Sequence, residues 1–256
     1  MAIEEREVFA VGRDGEVARA RGLDLARLET DRLRFEVVAA GEDVGGFQVL
    51  VFVDDVEMTA AGAGLGMDPY DVFVPDNRLV ATTEPHRVPI ARCECGVYGC
   101  GSTDVTIVRA EESVHWDWEL EKPMARGVTF PAGAYDAAVE DLVRDRSWET
   151  PERRSGRLVL ERADHDALAS NGLELQWVGK DHRDARRFQA SLGRATDYQV
   201  FVSVPWDDQS PDEVAEAMVA ELKRPPREWA AAWHPVHSSL TEPPPFAGRQ
   251  WRRFVI

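Results

Sequence analysis

The three cysteines of this 256-residue chain fall within eight positions, at Cys93, Cys95 and Cys100, in the run Arg92-Cys93-Glu94-Cys95-Gly96-Val97-Tyr98-Gly99-Cys100-Gly101. An odd number of thiols packed so closely argues against a disulfide-stapled framework and for metal or redox chemistry. Four-coordinate zinc places neighbouring thiolate sulfurs about 3.7 Å apart, whereas Cys93 and Cys95 on a flat strand would stand about 6.6 Å apart. A metal therefore requires the backbone to bend, and Gly96, Gly99 and Gly101 supply residues that reverse the chain tightly. The leading reading is a structural zinc site formed by Cys93, Cys95, Cys100 and a fourth ligand. Inert core thiols and a redox pair of Cys95 with Cys100 stand beside it. For the fourth ligand the candidate is His115 on the hairpin that follows, with His86, Asp104 and Asp117 as alternatives. A catalytic zinc is disfavoured, because three thiolates offset the Lewis acidity that activates a bound water.

Around this cluster the first half reads mainly as strands. Leu33 to Val38 and Phe47 to Val53 are β-branched and aromatic runs separated by a loop containing Gly41, Gly45 and Gly46, which predicts antiparallel partners. Thr103 to Arg109 and Val114 to Trp118 alternate in period two about the tetrad Ala110-Glu111-Glu112-Ser113, so a second hairpin is expected. It puts His115 and Asp117 on one face and Trp116 and Trp118 on the other. Between Pro131 and Trp148, Tyr135, Ala138, Val139, Leu142 and Val143 share one helical stripe. In the second half, Arg157–Glu161, Leu173–Val178 and Tyr198–Val204 read as strands and His165–Ser170 as a short helix. Ser210-Pro211-Asp212-Glu213 carries the marks of a helix start: a capping hydroxyl, proline at the first turn, acids against the dipole and a capping box. The fold class expected is α+β, with antiparallel hairpins and one helix in a strand-rich first half and a smaller α+β second half. A boundary at the polar stretch Ser147–Gly156 would give an acidic module over 1–150 and a second over 151–256.

The stretch from Met67-Asp68-Pro69 through Val88-Pro89-Ile90-Ala91-Arg92-Cys93, the Cys-x-Cys-Gly-x-x-Gly-Cys core and Val114-His115-Trp116-Asp117-Trp118 resembles a group of uncharacterised bacterial proteins from actinomycetes and related lineages. Phe130, Tyr135 and Ser147-Trp148-Glu149-Thr150-Pro151-Glu152-Arg153 extend the likeness, which covers roughly residues 60–155. It implies that cluster and hairpin form one module and carries no activity with it. A bacterial, GC-rich source also fits the basic residues, of which only Lys122, Lys180 and Lys223 are lysine.

Charge narrows the function classes. With 46 acidic and 30 basic residues the formal net charge is −16, which opposes a grip on nucleic acid or an anionic membrane. Residues 1–150 hold 30 acids and 15 bases, and residues 151–256 hold 16 and 15. The first thirty residues are charged throughout and no apolar run approaches a membrane span, so a cytoplasmic protein is expected.

Gly62-x-Gly64 fails the dinucleotide fingerprint at Met67 and reads as a turning loop. Asp164 reads as a helix cap, and His234-Pro235-Val236-His237 as a weak metal pair. Five of the eight tryptophans, Trp177, Trp206, Trp229, Trp233 and Trp251, lie in the second half; they read as core, with an aromatic ligand groove as the sharper alternative. No nucleophile elbow, phosphate-binding loop or helix-borne zinc pair is present. The expectation is a non-enzymatic binding or interaction protein whose partner is a basic protein or a small-molecule ligand. Its alternative is a metal-dependent or otherwise unrecognised enzyme acting on a small molecule.

Overall fold

The structure is a computed structural model that describes residues 31–41, 45–95, 100–195 and 197–254. Of the described residues 25% are helix and 37% strand, with antiparallel sheets and a strand-rich first half, and the fold belongs to the α+β class. It divides into two compact units between Trp148 and Glu149.

In the first unit, β1 (Leu33–Ala39), β2 (Phe47–Val53) and β3 (Val56–Glu57) form a three-stranded antiparallel sheet. After a single-turn helix α1 (Met58–Ala61) come β4 (Gly64–Gly66) and a second short helix α2 (Pro69–Val72), followed by β5 (His86–Cys93), β6 (Ser102–Ala110), β7 (Ser113–Leu120) and β8 (Val128–Pro131). Strands β4 to β8 form a five-stranded sheet in chain order. Helix α3 (Ala132–Arg144) ends the unit and buries Tyr135, Val139 and Leu142, the stripe expected from its 3.6-residue spacing.

The β6–β7 hairpin sets the two faces of the five-stranded sheet. Ile107 pairs with Trp116 and Val105 with Trp118, while Val108 pairs with His115 and Thr106 with Asp117. The tryptophan face is the core: Trp116 has no exposed surface and meets Phe130 at 5.4 Å, Tyr135 at 6.0 Å, Trp118 at 6.0 Å and Phe35 of β1 at 6.5 Å. Three of these four contacts are edge-to-face, the arrangement that ring quadrupoles favour. Trp148 closes the same unit against Tyr70 and Phe73.

The second unit begins with α4 (Pro151–Arg162) and α5 (His165–Ser170), then β9 (Glu174–Lys180), β10 (Arg187–Arg194) and β11 (Tyr198–Pro205). Helix α6 (Pro211–Leu222), a 3₁₀ turn at Pro226–Glu228, β12 (Ala231–Pro235) and β13 (Arg252–Arg253) complete it. The sheet order is β13-β12-β11-β10-β9, antiparallel except for the β12–β13 pair. Helices α4 and α6 pack on each other and on the sheet, above the apolar alternates Phe188, Ala190 and Leu192 of β10 and Val200, Val202 and Val204 of β11. Ser210 caps α6 with the full reciprocal box to Glu213.

Three readings of the sequence change. Arg157–Glu161 is not a strand but the middle of α4. Thr150 caps that helix through Arg153 N, Pro151 opens it, and Arg157 reaches Glu161 four residues on; a three-residue apolar run does not declare its period, whereas the cap does. Most of the stretch Ser147–Gly156, expected to be a connector, is therefore helix as well. Gly62 and Ala63 form a turn as expected, but Gly64 and Gly66 enter strand β4, with Gly66 opposite Ala91 of β5. Trp116→Ala is expected to destabilise the first unit by about 3–5 kcal/mol through the cavity it leaves, measured as a lowered urea midpoint at unchanged slope.

Candidate metal centre

Three strands create the cysteine site. Cys93 is the last residue of β5, lies opposite Gly64 of β4 and donates its amide to Gly101 O at 2.9 Å. That bond closes the chain between β5 and β6 and returns Cys100 to Cys93. Cys95 and Cys100 are exposed and Cys93 is half-buried, and all three are free thiols. Their Sγ atoms all lie within 4.8 Å of one another. The group can therefore hold a metal ion after a contraction of about an ångström toward the spacing of a tetrahedral thiolate site. Gly96 and Gly99, expected to bend the turn, lie outside the described residues. Hydrogen bonding with Cys93 and Cys95, followed by the negative charge those thiols would carry, pushes the Cys100 thiol up to about 11 from its ordinary 9.0.

Gly101 matters for another reason. A Cβ there would overlap Glu121 Oε1 and come within 3.3 Å of Cys93 Cβ, so the missing side chain is what lets the Glu121 carboxylate lie beside the cluster. Glu121 is anchored by its own amide, which donates to Ser102 O at 3.1 Å, and by its carbonyl, which accepts from Thr103 Oγ1 at 2.6 Å. No sequence pattern marks Glu121, whose only signal is the register that lays the end of β7 next to the start of β6.

The expected fourth ligand is not brought to the thiols. His115 pairs with Val108, six residues along β6 from Ser102, or roughly 20 Å at strand rise. Its ring is engaged elsewhere: Nδ1 lies 2.8 Å from Thr129 Oγ1 and Nε2 lies 3.4 Å from Asp117 Oδ1. Gly127 covers that ring so closely that a Cβ would come within 2.8 Å of Nε2 and 2.9 Å of Asp117 Oδ1. The alternatives fare no better. His86 sits at the far end of β5 with Nε2 2.9 Å from Arg78 O, Asp104 is ion-paired with Arg87 at 2.5 Å, and Asp117 stays with His115. Strand alternation correctly put His115 and Asp117 on one face, but no sequence rule tells which end of a ribbon a face residue occupies relative to a preceding turn.

Around His115 the structure builds a polar knot instead. Thr129 N donates to Asp31 Oδ2 at 2.9 Å, and Arg126 Nη1 donates to the same oxygen at 3.0 Å. Burial opposes ionisation of Asp31, but the donors Arg126 and Thr129 outweigh it and hold the carboxyl below its ordinary 3.8. In the second unit Asp164 caps α5 through Ala167 N at 2.9 Å, and His234 lies in β12 with Nδ1 3.3 Å from Phe254 O. No family model, no curated protein and no solved structure matches this chain.

A carboxylate whose folded-state pKa is depressed stabilises the fold above its unfolded value and loses that contribution as the pH falls through the folded one. Asp31→Asn is therefore expected to cost about 2 kcal/mol near neutrality. Denaturation curves of the variant and the parent should converge as the pH falls below 3.8.

Proposed function

We propose that the first unit is a zinc-braced module of a cytoplasmic, non-enzymatic binding protein whose acidic surface meets a basic protein partner. The convergence of the Cys93, Cys95 and Cys100 sulfurs at the β5–β6 turn carries this reading. Three thiolates are soft ligands of the kind that select zinc among common divalent ions. They also damp the acidity of a bound water, which favours bracing over hydrolysis. Glu121, lying beside Gly101, is the acid placed to complete the tetrahedron once its side chain turns toward the sulfurs. The basic partner follows from the surplus of 30 acids over 15 bases in residues 1–150, since opposite charge raises encounter rates. What weakens the enzymatic alternative is the state of its best residues: His115 is bonded to Thr129 through one ring nitrogen and to Asp117 through the other, and its ring lies under Gly127.

Protein purified under reducing conditions is expected to carry about one zinc per chain by elemental analysis, because a folded three-thiolate turn retains a tightly bound ion. Cys100→Ser is expected to lose the metal and lower the melting temperature by roughly 5–10 °C, since ion binding is part of the folding free energy. A fully folded, metal-free protein that takes up no added zinc, and whose three thiols react promptly with a thiol reagent, would overturn the reading.

A further inference from the structure

The sheet of the second unit has a face without helices, and that face is hollow. A cavity of about 680 Å³ opens there, within the size range of small-molecule sites. Its floor consists of residues that alternate away from α4 and α6. Gln189 of β10 lies opposite Ser203 of β11 and donates to its hydroxyl at 3.3 Å. Phe201 lies opposite Ala232 of β12, which in turn lies opposite Arg252 of β13. Small Ala232 thus leaves the space that the larger residues around it frame.

The walls combine two chemistries. Phe254 lies against Phe201 with ring centroids 4.7 Å apart and planes at 33°, and Arg183 lies over Phe254 at 4.1 Å, giving an aromatic wall at one side. Arg187, Arg249 and Arg252 line the same cavity. Arg187 donates to the Ser203 carbonyl at 2.8 Å, and among the described residues none of these three arginines forms an ion pair. Elsewhere in this acid-rich chain arginines such as Arg87, Arg126, Arg144, Arg157 and Arg224 are each held by carboxylates. Asp181, the one acid lining the cavity, is already occupied by Arg183 N at 2.9 Å and by Gln189 Nε2 at 3.3 Å.

The aromatic wall is tied into the sheet. Phe254 N donates to Trp233 O at 2.7 Å. Trp251 stacks on Trp229 at 6.3 Å and 5° and donates its indole N–H to Pro226 O at 3.0 Å. Side chains held in place in advance lower the ordering cost of binding.

We propose that this cavity is a binding site for a small organic anion, a molecule in which a carboxylate or phosphate is joined to a flat unsaturated ring. The ring packs beside Phe201 and Phe254, the anionic group meets the guanidinium groups of Arg249, Arg252 and Arg187, and the amide of Gln189 orients polar atoms at the ring edge. The site belongs to the second unit and is independent of the zinc reading of the first.

The test is calorimetric titration of the full chain with two anionic probes, adenosine monophosphate and benzoate, each beside its neutral counterpart, adenosine and benzyl alcohol. At least one anion is expected to bind with a dissociation constant below ~1 mM, at least about tenfold tighter than its neutral counterpart, and more weakly as salt is raised. The exposed double variant Arg249→Ala/Arg252→Ala is expected to weaken that binding by about tenfold or more with an unchanged melting temperature. Ala232→Leu, which fills the floor, should abolish it. Three results would overturn the proposal: neither anion binds, the neutral counterparts bind equally well, or both variants bind like the parent. Tighter binding of an acidic peptide than of either small anion, lost in the double variant, would instead assign the groove to a protein segment and also defeat it.

Discussion

Everything in the first unit hangs on the two-residue period of the β6–β7 ribbon. Because each successive side chain points to the opposite face, one register decision buries Trp116 and Trp118 in an aromatic core. The same decision leaves His115, Asp117 and Thr106 on the other side of the sheet. A slip of one residue would exchange the two sets and put a histidine and an aspartate among Phe130, Tyr135 and Phe35, at a desolvation cost that no local contact could offset. The register also fixes the cysteine turn, since the bond from Cys93 to Gly101 is the continuation of the β5–β6 ladder.

Four of the eight strands of the first unit, β1, β2, β6 and β7, are legible as β-branched and aromatic runs or as period-two alternation, whereas β3, β4, β5 and β8 are too short or too irregular to declare themselves. The hairpin about Ala110-Glu111-Glu112-Ser113 and the stripe of α3 follow from period alone. The cysteine group was legible for a different reason: three thiols in eight residues meet wherever the chain reverses. What was hidden is everything that depends on the position of one element along another. The displacement of His115 from the thiols and the approach of Glu121 to Gly101 are both facts of register, and a sequence states register only through its pairing partners. The helix over Arg157–Glu161 was missed because an apolar triplet was read without the cap that precedes it at Thr150-Pro151.

The two units carry opposite chemical dispositions. In the first, where acids outnumber bases along the chain, a soft sulfur cluster is suited to a cation. In the second, charge is nearly balanced overall, yet three arginines that form no ion pair among the described residues gather on a sheet face beside aromatic rings. Net charge is thus a poor guide to local preference here: a strongly acidic chain keeps a compact basic surface where a fixed scaffold holds it.

The wall of that hollow is assembled from the far end of the second unit. Arg252 pairs with Ala232, Phe254 reaches Phe201 across β12, and Trp251 rests on a tryptophan 22 positions earlier. Contacts between distant stretches of chain form late, after the entropy of closing large loops has been met. The hollow therefore exists only where those separated stretches meet, and the stacked indoles of Trp229 and Trp251 stand at one such junction.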